Sequence, residues 1–597
     1  MILLIPHNGE IQPVDLRLIR LANLLGIECR RVQLPKTTGD WPESLADKIP
    51  HEDSCFVINP RVLQKWLGTG TLPVSLASFL IRHFRALLVH AVDSETFDSS
   101  VIRELSYGTL QSIQEIECGD RPYDISSDSK DVCDVFSGLS FGPVNVTNDR
   151  VFVRGRNKVG TRSLISVAGH PFMAVHEQEK CKTWFVASEE VADLDTKVGD
   201  SPLCEYFSRL VPHAMALRSI FGEESWRPRK HYASVVIDDP LLRPNYGALN
   251  FESLLALMKQ HDFHSTVAFI PRNFKRNSSR TIRLLRENRG HFALCFHGND
   301  HTGAEFASTD TELLNTLLWI ARQRMERHRK LTGLDCDRVM VFPQGRFSTE
   351  AMATLKSHDF DGAVNTTPHP MHESNSLTLA EIAQPAVLRY SNFPLFLRKK
   401  SLNTESADIA FNAFFGKPIL IVEHQDVFQQ PEVLVDTVNR INKIVPNICW
   451  SSLGTILRNT ILWKRTADGI NHIRAYSRTV EVSSDSLLAT RYSVEWQQTP
   501  QPTASVGKVL LDGGTELDFV SDQDQIQVSV DLPPGCSRTI SLVQNVTPGK
   551  MRSLGLRYNA KVFLRRRLSE VRDNYLSKNS RILATAKAVQ QRLVRTA

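Results

Sequence analysis

Apolar runs of four to six residues, each ending abruptly in polar or charged residues, recur along the 597-residue chain, and their spacing changes twice. In the first third, Ile2 to Pro6, Cys55 to Ile58, Ala86 to His90, Leu164 to Val167 and Trp184 to Ala187 read as buried strands. A helical stretch after the first strand puts Leu18, Ile19, Ala22 and Leu25 on one face and stops at Gly26. Strands alternating with helices predict an α/β layer with a parallel sheet. From Ala233 onward the alternation yields seven strands, near Ala233, Ser265, Phe292, Val339, Gly362, Val387 and Ile419. Helical stretches such as Leu254 to Lys259 and Leu313 to His328 fall between them. Seven parallel strands with crossover helices predict a distorted β/α barrel, with its chemistry at the C-terminal strand ends. After about residue 468 the runs become short and close, and turn signals at Asp512-Gly513-Gly514 and Pro533-Pro534-Gly535 punctuate them. That pattern predicts a small β-sandwich that binds glycan or braces the barrel. The expected organisation is an α/β domain over 1–225, the barrel over 226–465, the sandwich over 466–548 and a helical tail over 549–597, with Glu224 to Lys230 as the linker into the barrel.

Two of the barrel strands end in groups that bind metals. The run Ala233 to Ile237 closes on Asp238-Asp239, and Phe292 to Phe296 leads into His297, followed by Gly298, Asn299, Asp300 and His301. A helical zinc-protease motif would need Glu at the second position; Gly298 and Asn299 argue for a loop instead. Two histidines and a carboxylate at one rim of a sheet form a facial N,N,O set with open positions, which suits a catalytic divalent metal. Two further strand ends deliver candidates: Arg338 to Phe342 runs into Pro343-Gln344-Gly345-Arg346, and Pro418 to Glu423 runs into His424.

The order of these motifs resembles the polysaccharide deacetylase family, carbohydrate esterase family four, over roughly residues 232–452. Ser265 to Ile270 is similar to that family's second strand, and Gly290-His291 precedes the histidine motif as it often does there. The resemblance implies a hydrolase that removes acetyl groups from an N-acetylated amino sugar in a glycan or glycan precursor. It implies a divalent metal, zinc, held by Asp239, His297 and His301, with Asp238 as general base. It further implies His424 as general acid and the backbone N–H of Gln344 as a partner for the oxyanion. The chain departs from the pattern where the family carries an arginine that orients the base: that position is Val341. Arg346 or Arg338 is expected to reach the carboxylate instead, and Arg346 is also a candidate substrate contact. The stretch Asp361 to Thr366 lacks the family's Trp, and Pro240 follows Asp238-Asp239 in place of Gly. These departures leave a second reading open, a glycan-binding or assembly protein on a catalytically weakened barrel.

Composition narrows the class. No apolar run approaches the ~20 residues of a membrane-spanning helix. Met1 to Pro6 is too short and lacks the basic flank of a signal peptide, so a cytoplasmic protein is expected. Ten cysteines without a CxxC spacing suggest reduced thiols rather than a disulfide framework or a cysteine metal site. No glycine-rich phosphate loop occurs, so a nucleotide site is not expected, and His90, His170 and His176 read as structural histidines. The last 48 residues carry thirteen Lys and Arg against two acids, net +11, so the remainder of the +6 chain sums to −5. Leu564, Leu568, Val571 and Tyr575 share one helical face there, as do Ile582, Val589 and Leu593. Such a helix either lies on an anionic membrane surface or packs on the body or a partner subunit. Few aromatics and no recognised module speak against nucleic acid as a partner, and the oligomeric state is left open.

Overall fold

The computed structural model describes residues 1–5, 11–33, 55–118, 121–142, 146, 148–157, 159–178, 180–199, 202–373, 377–498, 506–522, 524–544 and 549–571. The chain forms two compact units. One is built on Met1–Arg227 with two short returns, and the other holds nearly all the rest.

The first unit is a nine-stranded sheet, and it corrects the expectation of a parallel one. Ile2–Ile5, Arg30–Gln33, Cys55–Ile58, Ala86–Val89 and Lys182–Val186 do run parallel. From Lys182–Val186 outward, His170–Glu177, Thr161–Val167, Tyr123–Ile125 and Ser140–Phe141 alternate in direction. The switch falls between His170–Glu177 and Lys182–Val186, whose connection is too short for the crossover helix a parallel pair would need and is closed by the Gln178 N–H donating to the Cys181 carbonyl at 3.0 Å. Ala168 and Gly169, both at positive φ, close the next hairpin. The helix Pro13–Leu24 ends at Gly26, whose φ is +73°; a Cβ there would strike the Trp226 indole.

The second unit contains a closed barrel of seven parallel strands. These are β1 (Tyr232–Asp238), β2 (Ser265–Phe269), β3 (Phe292–His297), β4 (Asp337–Val341), β5 (Gly362–Asn365), β6 (Leu395–Lys400) and β7 (Ile419–Glu423), with β7 and β2 both pairing with β1. Val, Ile, Leu and Phe dominate these strands, and most positions are buried, as expected where helices cover a parallel sheet. The expected sixth strand at Val387 is displaced: Val387 makes one isolated bridge to Leu395, and the strand itself is β6. The sequence had hidden it, because Arg398-Lys399-Lys400 reads as a solvated end.

Downstream of the barrel the short strands form two further sheets. Thr479–Ser483, Ser537–Gln544, Val506–Leu511 and Thr515–Leu517 make one. Asn471–Ala475, Thr490–Gln497, Gln525–Leu532 and Phe519–Ser521 belong to the other. Val480, Val482, Val494, Val528 and Ile540 are buried, on alternate positions of their strands. Two helices bear on the site: α1 (Thr311–Thr332), capped by Asp310, and α2 (Leu556–Val571). Among the described residues no helix is long and apolar enough to cross a membrane. Tyr575, Ile582, Val589 and Leu593 lie outside the described residues.

Candidate metal centre

The C-terminal ends of β1 and β3 bring Asp239, His297 and His301 together, with one ligand atom from each lying within 4.8 Å of the others. His301 Nε2 is 3.6 Å from Asp239 Oδ2, and the two imidazoles are 4.9 Å apart between centroids. Ligands at ~2 Å from a tetrahedral ion lie roughly 3.3 Å from one another, so this set needs only a small contraction. His297 Nδ1 is 3.1 Å from the Val341 carbonyl oxygen, an arrangement that leaves Nε2 for a ligand. His297 is fully buried, whereas the side chains of Asp239 and His301 are each 17% exposed, so the set is open on one side.

The backbone is bent at the same place. Asp239, His301 and Gln344 are three of the twelve described non-glycine residues with φ between +49° and +61°. Such conformations cost of order 1–3 kcal/mol each and persist where the surroundings enforce them. The loop after β3 shows how. Gly298 has φ +63°, and a Cβ there would collide with Glu305 and Pro343. The Glu305 carboxylate accepts N–H bonds from Asn299 at 2.7 Å, Asp300 at 3.2 Å and His301 at 3.1 Å. Burial and the Asp300 charge raise the Glu305 carboxyl to about 7 against those three donors. Asp300, fully buried, accepts from Arg324 Nη1 of α1 at 2.6 Å, Arg272 Nη1 at 3.4 Å, Asn299 Nδ2 at 3.0 Å and the Tyr558 hydroxyl of α2 at 3.0 Å.

Asp238 sits beside the ligand set and is 4% exposed. Arg398 of β6 donates to both of its oxygens, Nη1 to Oδ1 and Nη2 to Oδ2, each at 2.6 Å. Burial pushes the Asp238 carboxyl up, but Arg398, with His297 and His424, outweighs it and holds the group well below the usual carboxylate range. The expected partners are thereby corrected. Arg346 is exposed on the Pro-Gln-Gly turn, and Arg338, half exposed, lies 3.9 Å from Asp359. Strand alternation explains the choice of Arg398, since it points inward while Lys399 reaches out to Asp408 at 2.7 Å. No sequence motif marks Arg398; the signal would have been an arginine inside an otherwise apolar strand.

The other candidates gather at the same rim. His424, at the end of β7 and exposed, has Nε2 4.0 Å from Asp238 Oδ2. Gln344 occupies an exposed turn after β4. Asn365, at the end of β5, steadies that turn by donating from Nδ2 to the Gly345 carbonyl at 2.9 Å. Burial lowers the imidazolium pKa of His297 to about 4. His301 is lowered to about 4 as well, by burial first and then by the Arg566 charge from α2. Both histidines are therefore neutral near pH 7, the form that ligates metals.

The basic C-terminal segment packs on this loop, not away from it. Arg552 N–H donates to Thr316 Oγ1 at 2.9 Å, and its guanidinium donates to Asp310 at 2.7 Å, both at the start of α1. Tyr558, Val562 and Arg566, spaced four apart on α2, face inward, with Val562 1% and Arg566 5% exposed. Leu564 and Leu568, one edge of the expected apolar face, are about 60% exposed.

No protein-family model matches the chain, and no curated protein matches it either. Solved structures similar to it include a family 4 carbohydrate esterase from Streptomyces lividans, 12% identical over 37% of this chain and 91% of that one, with a TM-score of 0.24. A polysaccharide deacetylase from Mycobacterium smegmatis is 11% identical over 38% of this chain and 90% of its own, at 0.26. A family 4 pseudoenzyme from Bacillus anthracis is 11% identical over 38% and 66%, at 0.24. At these scores the likenesses carry no weight of their own, and the barrel stands on its closed strand order.

Proposed function

We propose that the protein is a metal-dependent hydrolase that removes acetyl groups from an N-acetylated amino sugar in a glycan or glycan precursor. The observation that carries this reading is the convergence of Asp239, His297 and His301 beside a buried, arginine-paired Asp238, with His424 4.0 Å from it. The donor set of two neutral imidazoles and one carboxylate, open on one side, fits a divalent ion such as zinc. When bound, such an ion supplies a Lewis acid for the acetyl carbonyl and lowers the pKa of water.

The chain's own groups supply the remainder. Asp238 stays ionised throughout the working pH range and accepts the water's proton. Arg398 fixes both of its oxygens and offsets the cost of burying its charge. His424, exposed at the rim, donates a proton to the departing amine. The N–H of Gln344 is offered as a donor to the oxyanion, and Arg346 as a contact for the sugar. Val341 removed the one arginine the sequence pattern expected; Arg398 occupies its role and weakens the case for an inactive, merely binding barrel. The outer face of α2, with Leu564 and Leu568 beside the exposed Arg557 and Lys561, is a candidate for peripheral contact with anionic membranes, testable by salt-sensitive co-sedimentation with anionic vesicles.

The test of catalysis is elemental analysis of the purified chain together with acetate release from N-acetylated and O-acetylated glycans. One metal per chain with acetate release supports the reading. Stoichiometric metal with no release across the panel favours the glycan-binding alternative.

A further inference from the structure

A charge inventory around the metal loop leaves cations over. Asp238 is taken by Arg398, and Asp300 by Arg324 and Arg272. Asp239 belongs to the ligand set. Glu305 is held by three backbone N–H groups. Two guanidinium groups of α2 remain. Arg566 is only 5% exposed, yet its Nε and Nη2 have no hydrogen-bond partner among the described residues. Arg565 reaches the same loop, with its Nη1 3.2 Å from where a Gly303 Cβ would stand. A buried guanidinium with unused donors is costly unless something anionic completes it. Tyr558, two turns earlier on the same face of α2, fixes the helix against Asp300, so the position of Arg566 is imposed by the fold.

We propose that Arg566, assisted by Arg565, is an oxyanion-binding subsite beside the metal centre, and that the substrate is an acetamido sugar bearing a carboxylate or a phosphate group. The planar fork of arginine suits both anions, whose paired oxygens accept two parallel N–H bonds. This deepens the deacetylase reading by naming the substrate class and rests on it for the acetamido part alone. It also explains why a strongly basic helix is built into the wall of a sugar site, where a neutral glycan would call for aromatic platforms.

The test is calorimetric titration of the full-length, metal-analysed protein with three ligands: neutral N-acetylglucosamine, the same sugar carrying a phosphate monoester, and an N-acetylated sugar carrying a carboxylate. Wild type should bind at least one anionic sugar tenfold or more tightly than the neutral one, and whichever binds identifies the anion. Arg566→Gln should weaken that ligand tenfold or more. Arg567→Gln, an equal charge change on an exposed neighbour, should leave it within twofold. Arg566→Lys, which keeps the charge and the helix contact, should fall between. Equal affinities for all three sugars in wild type, or identical losses in Arg566→Gln and Arg567→Gln, overturn the proposal. Binding is read without turnover, so a protein that releases no acetate yet discriminates the anionic sugar through Arg566 refutes the hydrolase and keeps the subsite. Acetate release with no such discrimination does the reverse.

Discussion

Among the described residues, each unit holds a histidine–aspartate cluster, and the two are built to opposite ends. In the first unit, Asp15 accepts both of its contacts from Asn59 Nδ2, at 3.1 and 3.2 Å, and lies 3.0 Å from His90 Nε2. His213 stands edge-on to His90, 6.3 Å between centroids, and all three side chains are at most 2% exposed. In the barrel, three ligand atoms converge, two of their side chains remain 17% exposed, and two of the three residues sit at positive φ. Proximity of His and Asp is common to both. What separates a site from a core network is convergence on one point, access for a ligand, and a strained backbone that the surroundings hold in place.

The largest expected effects test that separation directly. His297→Ala and His301→Ala should each abolish stoichiometric metal and acetate release, without lowering the thermal midpoint of the first unit. Asp15→Ala should do the opposite, keeping metal and turnover while lowering unfolding stability by about 1–3 kcal/mol, since it leaves the buried Asn59 amide without its acceptor and removes the carboxylate beside His90. Asp238→Asn should retain metal yet lose on the order of 10²–10⁴ in kcat. Full metal content in His297→Ala would dissolve the distinction between the clusters.

Next in size is the Asp238–Arg398 pair, which belongs to the barrel site but is as dry as the Asp15 network. Removing one partner of a buried ion pair typically costs about 3–5 kcal/mol, because the other charge is stranded. Arg398→Met should therefore lower stability by that amount. The double variant Arg398→Met with Asp238→Asn should regain most of it while remaining inactive. Calorimetric unfolding of the two variants decides. No recovery in the double variant would mean that Arg398 matters for packing rather than for charge.

Arg398 also shows where sequence reading stops. The strand-end motifs were legible because Asp238-Asp239 and the His297–His301 loop follow directly on apolar runs, and the barrel places such ends together. Arg398 comes from a strand the pattern set near Val387, some eight residues early, because three basic residues close it. Its pairing with Asp238 spans 160 positions, and local spacing carries no information about that. Tyr558 and Arg566 were hidden for a related reason. The tail's charge suggests a surface, and only the fold reveals that one stripe of it, spaced four residues apart, turns inward. The antiparallel half of the first sheet was missed because Ala168-Gly169 is a weak turn signal beside the strong strands that flank it.

The buried cluster should also declare itself through pH. Burial, and then the neighbouring His90, lower the His213 pKa from an ordinary 6.5 to about 3. The folded state therefore binds fewer protons than the unfolded state between those values. Stability is unaffected above pH 6.5 and falls as pH drops below it, by at most about 1.4 kcal/mol per pH unit. His213→Leu should flatten that decline in a thermal-unfolding series from pH 7.5 to 4.5. The barrel ligands should not mimic the effect in metal-loaded protein, where the bound ion and not burial alone keeps them unprotonated. An unchanged acid slope in His213→Leu would remove His213 as its origin.

The smallest effect concerns the helix that joins the tail to the site. Tyr558 donates one hydrogen bond, at 3.0 Å, to a carboxylate that already has Arg324, Arg272 and Asn299 as donors. Tyr558→Phe removes that hydroxyl, keeps the ring, and leaves Asp300 satisfied by the others, so no buried charge is stranded. The expected cost is about 1 kcal/mol or a little more, the net value of a hydrogen bond to a charged acceptor. Its location matters more than its size. Because the lost bond tethers α2, protection of the amides of residues 556–566 against hydrogen exchange should fall while that of β1 and β3 holds. Uniform loss of protection across barrel and helix would show that Tyr558 supports the core as a whole. Unaltered protection everywhere would show that Val562 and Arg566 alone dock the helix.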